Sequence, residues 1–328
     1  MRSVLLFGRL WVVCFAVVWA ASSVANAAVI DGLLVVDSGT DRVLLLDPVN
    51  GSILNDRLIE DPNLLTPVNA IDSGRGTIFV SDQLLDEVRE YSTTGQFLRT
   101  VVNNTQVDNI RGIAVRNNSL YVTVAGGNAG AGRLHTVQQF DLNTGIQSTF
   151  IDTNGGTASA VLGSPWDVTF RENDVLVSDS VVERVRRFDF NGNFVGDLSG
   201  LTIDFPQQVV DTPDGDVLVA NSANGGGLLR FDDSGAFTGA FAGQGIFSAR
   251  GVAELENGQF LYGGGINLIT IDPSTNSSAT LISESGRSFR YIERVSITAV
   301  PEPSSLAFLT ITGGVIASRR RRRSASLS

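Results

Sequence analysis

Lysine is absent from this sequence of 328 residues, and histidine and cysteine each occur once, as His135 and Cys14. A single cysteine cannot form an intrachain disulfide, so a folded domain must be stabilised by packing. Zinc sites built from imidazole or thiolate need three or four such ligands. A Ser–His–Asp nucleophile would have to use His135, and no Gly-x-Ser-x-Gly motif accompanies it. We therefore interpret His135 as a solvated loop residue, and we predict no catalytic residues, no metal ligands and no cofactor.

The longest apolar runs lie at the two ends of the chain. At the N-terminal end, the stretch Leu10–Ala20 follows Arg2 and Arg9 and precedes an A-x-A motif at Ala25–Ala27. This order is typical of a secretory signal peptide, so we predict a signal over residues 1–27 and cleavage between Ala27 and Ala28. A retained membrane anchor is the alternative, but the apolar run is shorter than the ~20 residues of a spanning helix.

The C-terminal end has three parts in a fixed order: the motif Pro301-Glu302-Pro303, the apolar stretch Leu306–Ser318 and five arginines, Arg319–Arg323. Residues 300–328 resemble the PEP-CTERM sorting signal of Gram-negative bacteria, which is also known as the ice-binding protein C-terminal domain. The resemblance implies cleavage near the motif by an exosortase-type enzyme and release to the cell surface or the extracellular polymer. A helix over the apolar stretch would reach about 20 Å, which suits transient contact with a ~30 Å hydrocarbon core.

Acidic residues dominate the part of the chain between these two ends. Loss of Arg2, Arg9 and Arg319–Arg323 leaves 17 of the 24 basic residues, and loss of Glu302 leaves 33 of the 34 acidic residues. The remaining body then carries a net charge near −16. Nucleic acids and anionic membrane surfaces are poor partners for such a surface.

A pattern of short strands separated by polar turns recurs along the body. Gly76–Leu98 and Asn173–Leu198 match almost position for position, and six copies follow one another. A period of about 40–50 residues with several strands per copy is typical of a β-propeller. The innermost strand of each copy is predicted to begin at Pro67, Arg111, Pro165, Pro206, Arg250 and Arg290.

The copies resemble NHL repeats in Arg111–Val115 (RGIAV), Val80–Asp82 (VSD) and Arg184–Asp189 (RVRRFD). The resemblance implies an all-β fold, a six-bladed propeller over residues 28–299. The sixth copy departs from the pattern, since Gly263–Gly265 replaces the Asp turn. Too few residues precede Leu33 for an innermost strand, so we predict that Tyr291–Thr298 completes the first blade beside Leu33–Val36. Such closure removes both free sheet edges.

Acidic turns follow several of the central strands. Asp37, Asp82, Asp179 and Asn221 occupy matching positions, where we expect them to cap turns by accepting backbone N–H bonds. The alternative is a set of carboxylates holding a divalent cation, as in a lactonase-like propeller hydrolase or lyase. We interpret Asp211–Asp216 as a Pro-Asp-Gly hairpin turn, because it lacks the spacing of a calcium loop. Trp166 is expected to serve in packing.

Three arginines begin innermost strands and should therefore stand near one mouth of the central channel: Arg111, Arg250 and Arg290. Convergent guanidinium groups suit bidentate binding of a carboxylate or sulfate, such as that of an acidic sugar. In the alternative, each arginine pairs with a nearby carboxylate such as Asp108 or Glu254 and only ties loops together.

Together these features predict an exported, non-enzymatic binding or structural module at the cell surface or in the extracellular matrix. Its expected partners are an exosortase-type sorting enzyme and an acidic exopolysaccharide or other surface protein. The alternative is a metal-dependent hydrolase or lyase that uses carboxylates. Metal retained through purification would favour that alternative.

The sorting motif generates a prediction about the mature protein. Because Arg319–Arg323 would stay on the cytoplasmic side, protein isolated from the cell surface should lack them. Intact-mass measurement checks this, and surface fractionation with and without the tail shows whether the tail directs sorting. A surface-exposed protein that retains the five arginines would contradict the prediction.

Overall fold

Runs of β-branched, leucine and aromatic residues alternate with Asp-, Asn- and Gly-rich turns, and each run forms a short strand. The computed structural model describes residues 29–127, 133–152, 162–198, 202–223, 226–241 and 248–298. These residues form six antiparallel four-stranded sheets, the blades of a β-propeller. Within the described ranges no helix is long and apolar enough to cross a membrane.

The strands are numbered in chain order. They are β1 (Val29–Asp37), β2 (Arg42–Leu46), β3 (Ile53–Glu60), β4 (Pro67–Asp72), β5 (Ile78–Asp82), β6 (Glu87–Tyr91), β7 (Phe97–Val102), β8 (Ile110–Arg116), β9 (Ser119–Val124), β10 (Thr136–Asp141), β11 (Gln147–Ile151), β12 (Pro165–Phe170), β13 (Val175–Asp179), β14 (Arg184–Phe188), β15 (Phe194–Asp197), β16 (Pro206–Asp211), β17 (Val217–Asn221), β18 (Gly227–Phe231), β19 (Phe237–Phe241), β20 (Gly251–Glu254), β21 (Phe260–Gly264), β22 (Asn267–Asp272), β23 (Ser277–Ser283) and β24 (Phe289–Thr298). Blade 1 has the order β24-β1-β2-β3, and blades 2 to 6 each take four consecutive strands from β4 onwards.

The last strand completes the first blade, as predicted. β24 pairs antiparallel with β1 from Asp37↔Phe289 to Val29↔Thr298, with Val35 opposite Ile292. The paired region is longer than the predicted one at both ends. The two ends of the propeller are therefore joined by a ladder of backbone hydrogen bonds, which pairs the inner edge of β1 and makes β24 the innermost strand of blade 1.

The hydrophobic core is a ring of clusters between neighbouring blades. Leu34 and Val36 face blade 2, where they pack with Ile78, whereas Leu33 and Val35 face blade 6. Because side chains alternate along a strand, a blade covered on both faces needs a continuous apolar run. The sequence meets this requirement at Leu33–Val36, where every side chain is fully buried.

Hydroxyl groups on second strands join blade 2 to blade 3 and blade 4 to blade 5. The pairing of β4 with β5 shifts register between Pro67 and Asn69. The Ser81 Oγ there accepts a bond from Asn69 N (3.1 Å) and donates to the Arg111 carbonyl of blade 3 (2.6 Å). Ser178 repeats this arrangement between blades 4 and 5. The bulge thus frees a backbone N–H that the serine satisfies while it bridges two blades.

Of the three glycines in the sixth copy, Gly264 has a steric reason. A Cβ on Gly264 would collide with the carbonyl oxygen of Ser248, so no side chain fits there. Gly265 accepts a backbone bond from Phe289 N (2.8 Å), which ties the sixth blade to the closing strand. Close backbone contact therefore takes the place of the Asp turn.

Several predictions from the sequence concern the ends of the chain. The signal over residues 1–27, the Ala27–Ala28 bond, and the sorting motif Pro301, Glu302 and Pro303 within residues 300–328 lie outside the described residues.

Truncation after Ser285 should abolish cooperative folding. It removes β24, whose Phe289, Tyr291 and Ile292 are fully buried. Each such side chain contributes about 1.5–3 kcal/mol, against a total stability of about 5–15 kcal/mol for a domain. Thermal unfolding followed by circular dichroism checks this, with truncation after Val300 as the control. An unchanged transition in the shorter chain would contradict the role of the closing strand.

Candidate functional site

The innermost strands β4, β8, β12, β16, β20 and β24 contact one another in a closed ring around the propeller axis. We call the end of this channel at which these strands begin the upper mouth, and the end at which they finish the lower mouth. Arg111, Arg250 and Arg290 belong to the upper mouth, as predicted from their positions in the repeat. They come from blades 3, 6 and 1, so they approach the axis from different sides.

Each of the three arginines is held by neutral groups. Arg111 Nη1 donates to Ser164 Oγ (2.8 Å) and to the Pro165 carbonyl (3.1 Å). Arg290 Nε donates to Ser38 Oγ (2.8 Å), and Arg250 Nη1 lies 3.4 Å from Ser288 Oγ. The arginines are therefore oriented without a carboxylate.

Within the described residues, none of these three arginines forms an ion pair, and the predicted alternative of pairing with Asp108 or Glu254 is not found. Glu254 ends β20 at the lower mouth instead. The stretches 128–132, 153–161, 199–201, 224–225 and 242–247 contain no Asp or Glu. The propeller sequence therefore has no further carboxylate for these guanidinium groups between the described ranges.

Burial makes this cationic cluster costly. It lowers the pKa of Arg111 and Arg290 to about 10, and for Arg290 the charges of Arg250 and Arg111 act in the same direction. Burial also lowers the pKa of Arg250. All three remain charged at neutral pH. The Nε atoms of Arg111 and Arg250 are buried without a hydrogen-bond partner, a situation that costs about 1–3 kcal/mol per group.

Tyr291 adds a further unpaired donor, which the sequence reasoning missed. It follows Arg290 on β24 and is fully buried, and its hydroxyl has no hydrogen-bond partner. Burial and the charge of Asp167 raise the pKa of this hydroxyl well above its usual value, and the charges of Arg111 and Arg290 oppose that shift. The hydroxyl therefore stays protonated and lies within the electrostatic reach of the arginines. The sequence could have indicated Tyr291 through its position directly after Arg290, which was predicted to begin an innermost strand.

His135 lies close to the same cluster, and the prediction of a solvated loop residue was wrong. It is half-buried with φ at 55°, and its Nδ1 is buried without a hydrogen-bond partner. Burial lowers the pKa of its imidazole, Asp179 opposes this shift, and Arg111 adds to it. The turn that follows the Gly-rich insertion thus brings the imidazole near the upper mouth.

The aspartates after the central strands cap turns, as predicted, and they also hold the loop that precedes the innermost strand. Asp82 Oδ1 accepts bonds from Leu84 N and Leu85 N of its own turn (3.0 Å each). Asp82 Oδ2 accepts from Leu65 N (2.7 Å) and Thr66 N (3.0 Å), just before β4. One carboxylate therefore fixes two loops of the same blade.

The same double role recurs in blades 4 and 1, where it fixes the loops that carry Ser164 and Ser288. Asp179 accepts from Val182 N in its own turn (3.0 Å) and from Ser164 N before β12 (3.0 Å). Asp37 accepts from Gly39 N (3.0 Å) and from Ser288 N before β24 (2.8 Å). Asn221 caps similarly but more weakly, since it accepts from Phe205 N at 3.1 Å and from Ala223 N at 3.5 Å. The aspartates thus position the serines that orient Arg111 and Arg250.

Trp166 packs as predicted and also supports an arginine. Its side chain is 8% exposed, its Nε1 donates to Ser180 Oγ (2.8 Å), and its ring lies 5.4 Å from that of Phe205. The Arg111 guanidinium lies over the Trp166 ring at 3.8 Å. This cation–π contact offsets part of the cost of burying the charge.

The remaining candidates are structural. Asp211–Asp216 contains the predicted hairpin, in which Thr212 N donates to the Asp216 carbonyl (2.8 Å) and Gly215 has φ at 88°. In the part of the chain that the structure describes, no group of three or more His, Cys, Asp or Glu residues could hold a metal ion.

Amide side chains fill the middle of the channel. Gln208 Oε1 accepts from Val252 N and Ile292 N (2.9 Å each), and its Nε2 donates to the Ile292 carbonyl (2.7 Å) and to Glu293 Oε1 (2.9 Å). Asn69 Nδ2 donates to the Ile113 carbonyl (3.2 Å). Blades 5, 6 and 1 are joined by Gln208, and blades 2 and 3 by Asn69.

Two carboxyl groups accompany these amides. Asp167 is 2% exposed and accepts from Val168 N and Val209 N (2.9 Å each). Burial raises the pKa of Asp167 to about 7. Burial and the charge of Asp167 raise the pKa of Glu293 to about 8.

Comparison with known proteins gives the fold and no family. No family model and no curated protein matches this chain. A chain in the crystal structure of a nidogen/laminin complex is similar, with a TM-score of 0.66 and 10% identity over 82% of this chain and 100% of that one. A protein of unknown function from Bacteroides caccae has a TM-score of 0.55 and 15% identity over 80% and 98%. A catalytically inactive virginiamycin B lyase from Staphylococcus aureus with quinupristin has a TM-score of 0.48 and 14% identity over 73% and 71%. Together with the six closed blades, the first two support the β-propeller fold.

The free energy of unfolding should decrease with rising pH because Asp167 and Glu293 lose their protons. Both carboxyls hold a proton more tightly in the folded state than in the unfolded state. The free energy of unfolding should therefore fall as the pH rises from about 4 to about 8, and level off above. Asp167→Asn should reduce this fall by about 2 kcal/mol between pH 5 and 9, and Glu293→Gln should also reduce it. Urea unfolding at pH 5, 7 and 9 measures the effect.

The exposed Glu256→Gln variant is the control, because it removes a carboxylate outside the channel. A pH dependence that is the same in Asp167→Asn as in the unmodified chain would show that Asp167 does not titrate in this range.

Proposed function

We propose that this protein is a non-enzymatic binding module whose propeller recognises an anionic group at the upper mouth, through Arg111, Arg250 and Arg290. The observation that carries the proposal is the convergence of three guanidinium groups, that of Arg111 buried and those of Arg250 and Arg290 half-buried, which form no ion pair with a carboxylate of the described residues. The unpaired Nε atoms of Arg111 and Arg250 and the Tyr291 hydroxyl are donors that an anion would satisfy.

A carboxylate or sulfate has the complementary chemistry. Its oxygens accept charge-assisted bonds from planar guanidinium groups, often two at a time. A bound anion would also relieve the mutual repulsion that lowers the pKa of Arg290. We infer an acidic sugar as the ligand class. The acidic body opposes polyanions that run along its surface, which favours a chain end or an isolated acidic sugar that inserts into the mouth.

The ends of the chain support an exported location for this module. The signal-like residues 1–27 and the Pro301-Glu302-Pro303 motif with its apolar stretch and arginines are the supporting features. The proposal includes sorting by an exosortase-type enzyme to the cell surface or extracellular matrix of a Gram-negative bacterium. The repeat pattern, with its VSD and RVRRFD segments, supports membership of the NHL-like propellers.

The chemistry of the described residues favours binding over catalysis. The carboxylates of Asp37, Asp82 and Asp179 are each engaged by backbone N–H groups. They are therefore poorly placed to hold the cation of a lactonase-like hydrolase or lyase.

Removal of the arginines should weaken binding of an acidic oligosaccharide. We expect Arg250→Ala and Arg290→Ala each to reduce affinity for an oligogalacturonide by about tenfold or more, because a hydrogen bond to a charged group contributes about 1.5–3 kcal/mol. Calorimetric titration measures the affinity, and the methyl-esterified oligosaccharide should not bind.

Arg57→Ala removes one exposed positive charge from the outer strand of blade 1 and is the matched control. Thermal unfolding identifies variants that lose stability. Unchanged affinity in both channel variants, or equal losses in Arg57→Ala, would contradict an anion site at the upper mouth.

A further inference from the structure

A cavity of about 560 Å³ opens at the lower mouth. The side chains of Gln208 and Asn69, here called the amide plug, lie between this cavity and the arginines. Its lining includes apolar side chains of three innermost strands that are only partly buried, Val115, Phe170 and Val210, and the exposed Pro213. The volume lies within the roughly 300–1,000 Å³ of small-molecule sites. The cavity is therefore large enough for a ligand with an apolar body.

Carboxyl groups surround these apolar side chains. Glu293, Glu254, Asp72 and Asp211 line the cavity, together with one basic residue, Arg294. Asp211 is paired with Arg171 (3.0 Å). Arg294 turns towards Glu256 (2.8 Å), which lies outside the cavity lining. The cavity thus has an excess of negative charge.

Neither glutamate forms an ion pair within the described residues, although the charges of Arg230 and Arg294 act on Glu254 from a greater distance. Glu254 Oε2 is buried without a hydrogen-bond partner, and Glu293 accepts its bond from the neutral amide of Gln208 (2.9 Å). Burial raises the pKa of both, that of Glu293 to about 8. A buried acidic group in this situation is stabilised in its charged form by a nearby positive charge.

The lining favours an organic cation over a metal ion. Calcium takes six to eight oxygen ligands in close array, whereas here the carboxyls are spread over a lining that includes Val115, Phe170 and Val210. No group of carboxylates in the described residues is close enough to hold a metal. An ammonium group on an apolar body matches both parts of the lining.

We propose that the lower-mouth cavity is a second binding site, for a small organic cation whose ammonium group faces Glu293 and Glu254 and whose apolar body contacts Val115, Phe170 and Val210. This site is independent of the anion site at the upper mouth. The amide plug of Gln208 and Asn69 separates the two.

A quaternary ammonium probe tests the proposal, because its charge does not change with pH. We expect butyltrimethylammonium to bind the full chain saturably in calorimetric titration at pH 9. Butanoate and the uncharged 3,3-dimethylbutan-1-ol should bind at least about tenfold more weakly, because a charge contact of about 1.4 kcal/mol corresponds to that factor. Saturable binding that is equally strong for the uncharged probe would overturn the proposal, as would no binding of the cation.

Variants locate the site. Glu293→Gln and Glu254→Gln should each weaken the cation at least about tenfold, while Glu60→Gln, with the same change of charge on the outer strand of blade 1, should leave affinity unchanged. Arg250→Ala should also leave the affinity for the cation unchanged. The result therefore does not depend on whether the upper mouth binds an anion. Thermal unfolding confirms that the variants fold. Full affinity in Glu293→Gln and Glu254→Gln would overturn the assignment.

The pH dependence of binding provides a second measurement. It would not depend on Glu293 if that residue had only a structural role. The titratable or charged groups around Glu293 are Asp72, Asp167, Asp211, Glu254, Tyr291 and Arg294. Because the cation favours the ionised glutamate, its affinity should rise from pH 6 to about pH 8 and then level off. Glu293→Gln should reduce this rise. A pH profile unaltered by Glu293→Gln would show that another group carries the charge.

Discussion

The geometry of the propeller's upper mouth depends on buried aspartates, each of which accepts hydrogen bonds from two loops of its own blade. In blades 1, 2 and 4, Asp37, Asp82 and Asp179 accept bonds both from their own turn and from the loop before the innermost strand. Bonds to a carboxylate are stronger than those between neutral groups. Two of these loops carry the serines that receive Arg111 and Arg250. A feature that looks like an ordinary turn cap therefore sets the positions of the candidate ligand-binding arginines.

Positively and negatively charged side chains lie at opposite mouths of the channel, and neutral side chains separate them. The arginines lie at the upper mouth and the unpaired glutamates at the lower mouth. Gln208 lies between them, where it both donates and accepts bonds and joins three blades without adding charge. Because the opposite charges are held apart by the plug, neither set is neutralised by the other. Each mouth thus keeps charged side chains with which a ligand of the opposite charge can pair.

The fold could be predicted largely from the sequence because its determinants are local and repeated. The six copies, the buried run Leu33–Val36 and the closing strand all follow from spacing and apolar pattern. The sites could be predicted only in part. The strand starts placed the arginines, but the neutral partners of Arg290 and the position of His135 depend on contacts across blades. The same holds for Glu293, since its partner Gln208 is 85 residues away. Repeat position alone carries no signal for such contacts.

The absence of lysine has a physical counterpart at the upper mouth. Burial lowers the pKa of Arg111 and Arg290 to about 10, so both keep their charge at neutral pH. A lysine amine begins from about 10.4, and the same burial would bring it close to neutral pH and remove much of its charge. A lysine would also lack the planar group that lies 3.8 Å from the ring of Trp166. A cationic mouth whose guanidinium groups are at least partly buried and form no ion pair with the described carboxylates is therefore a site that arginine can form and lysine cannot.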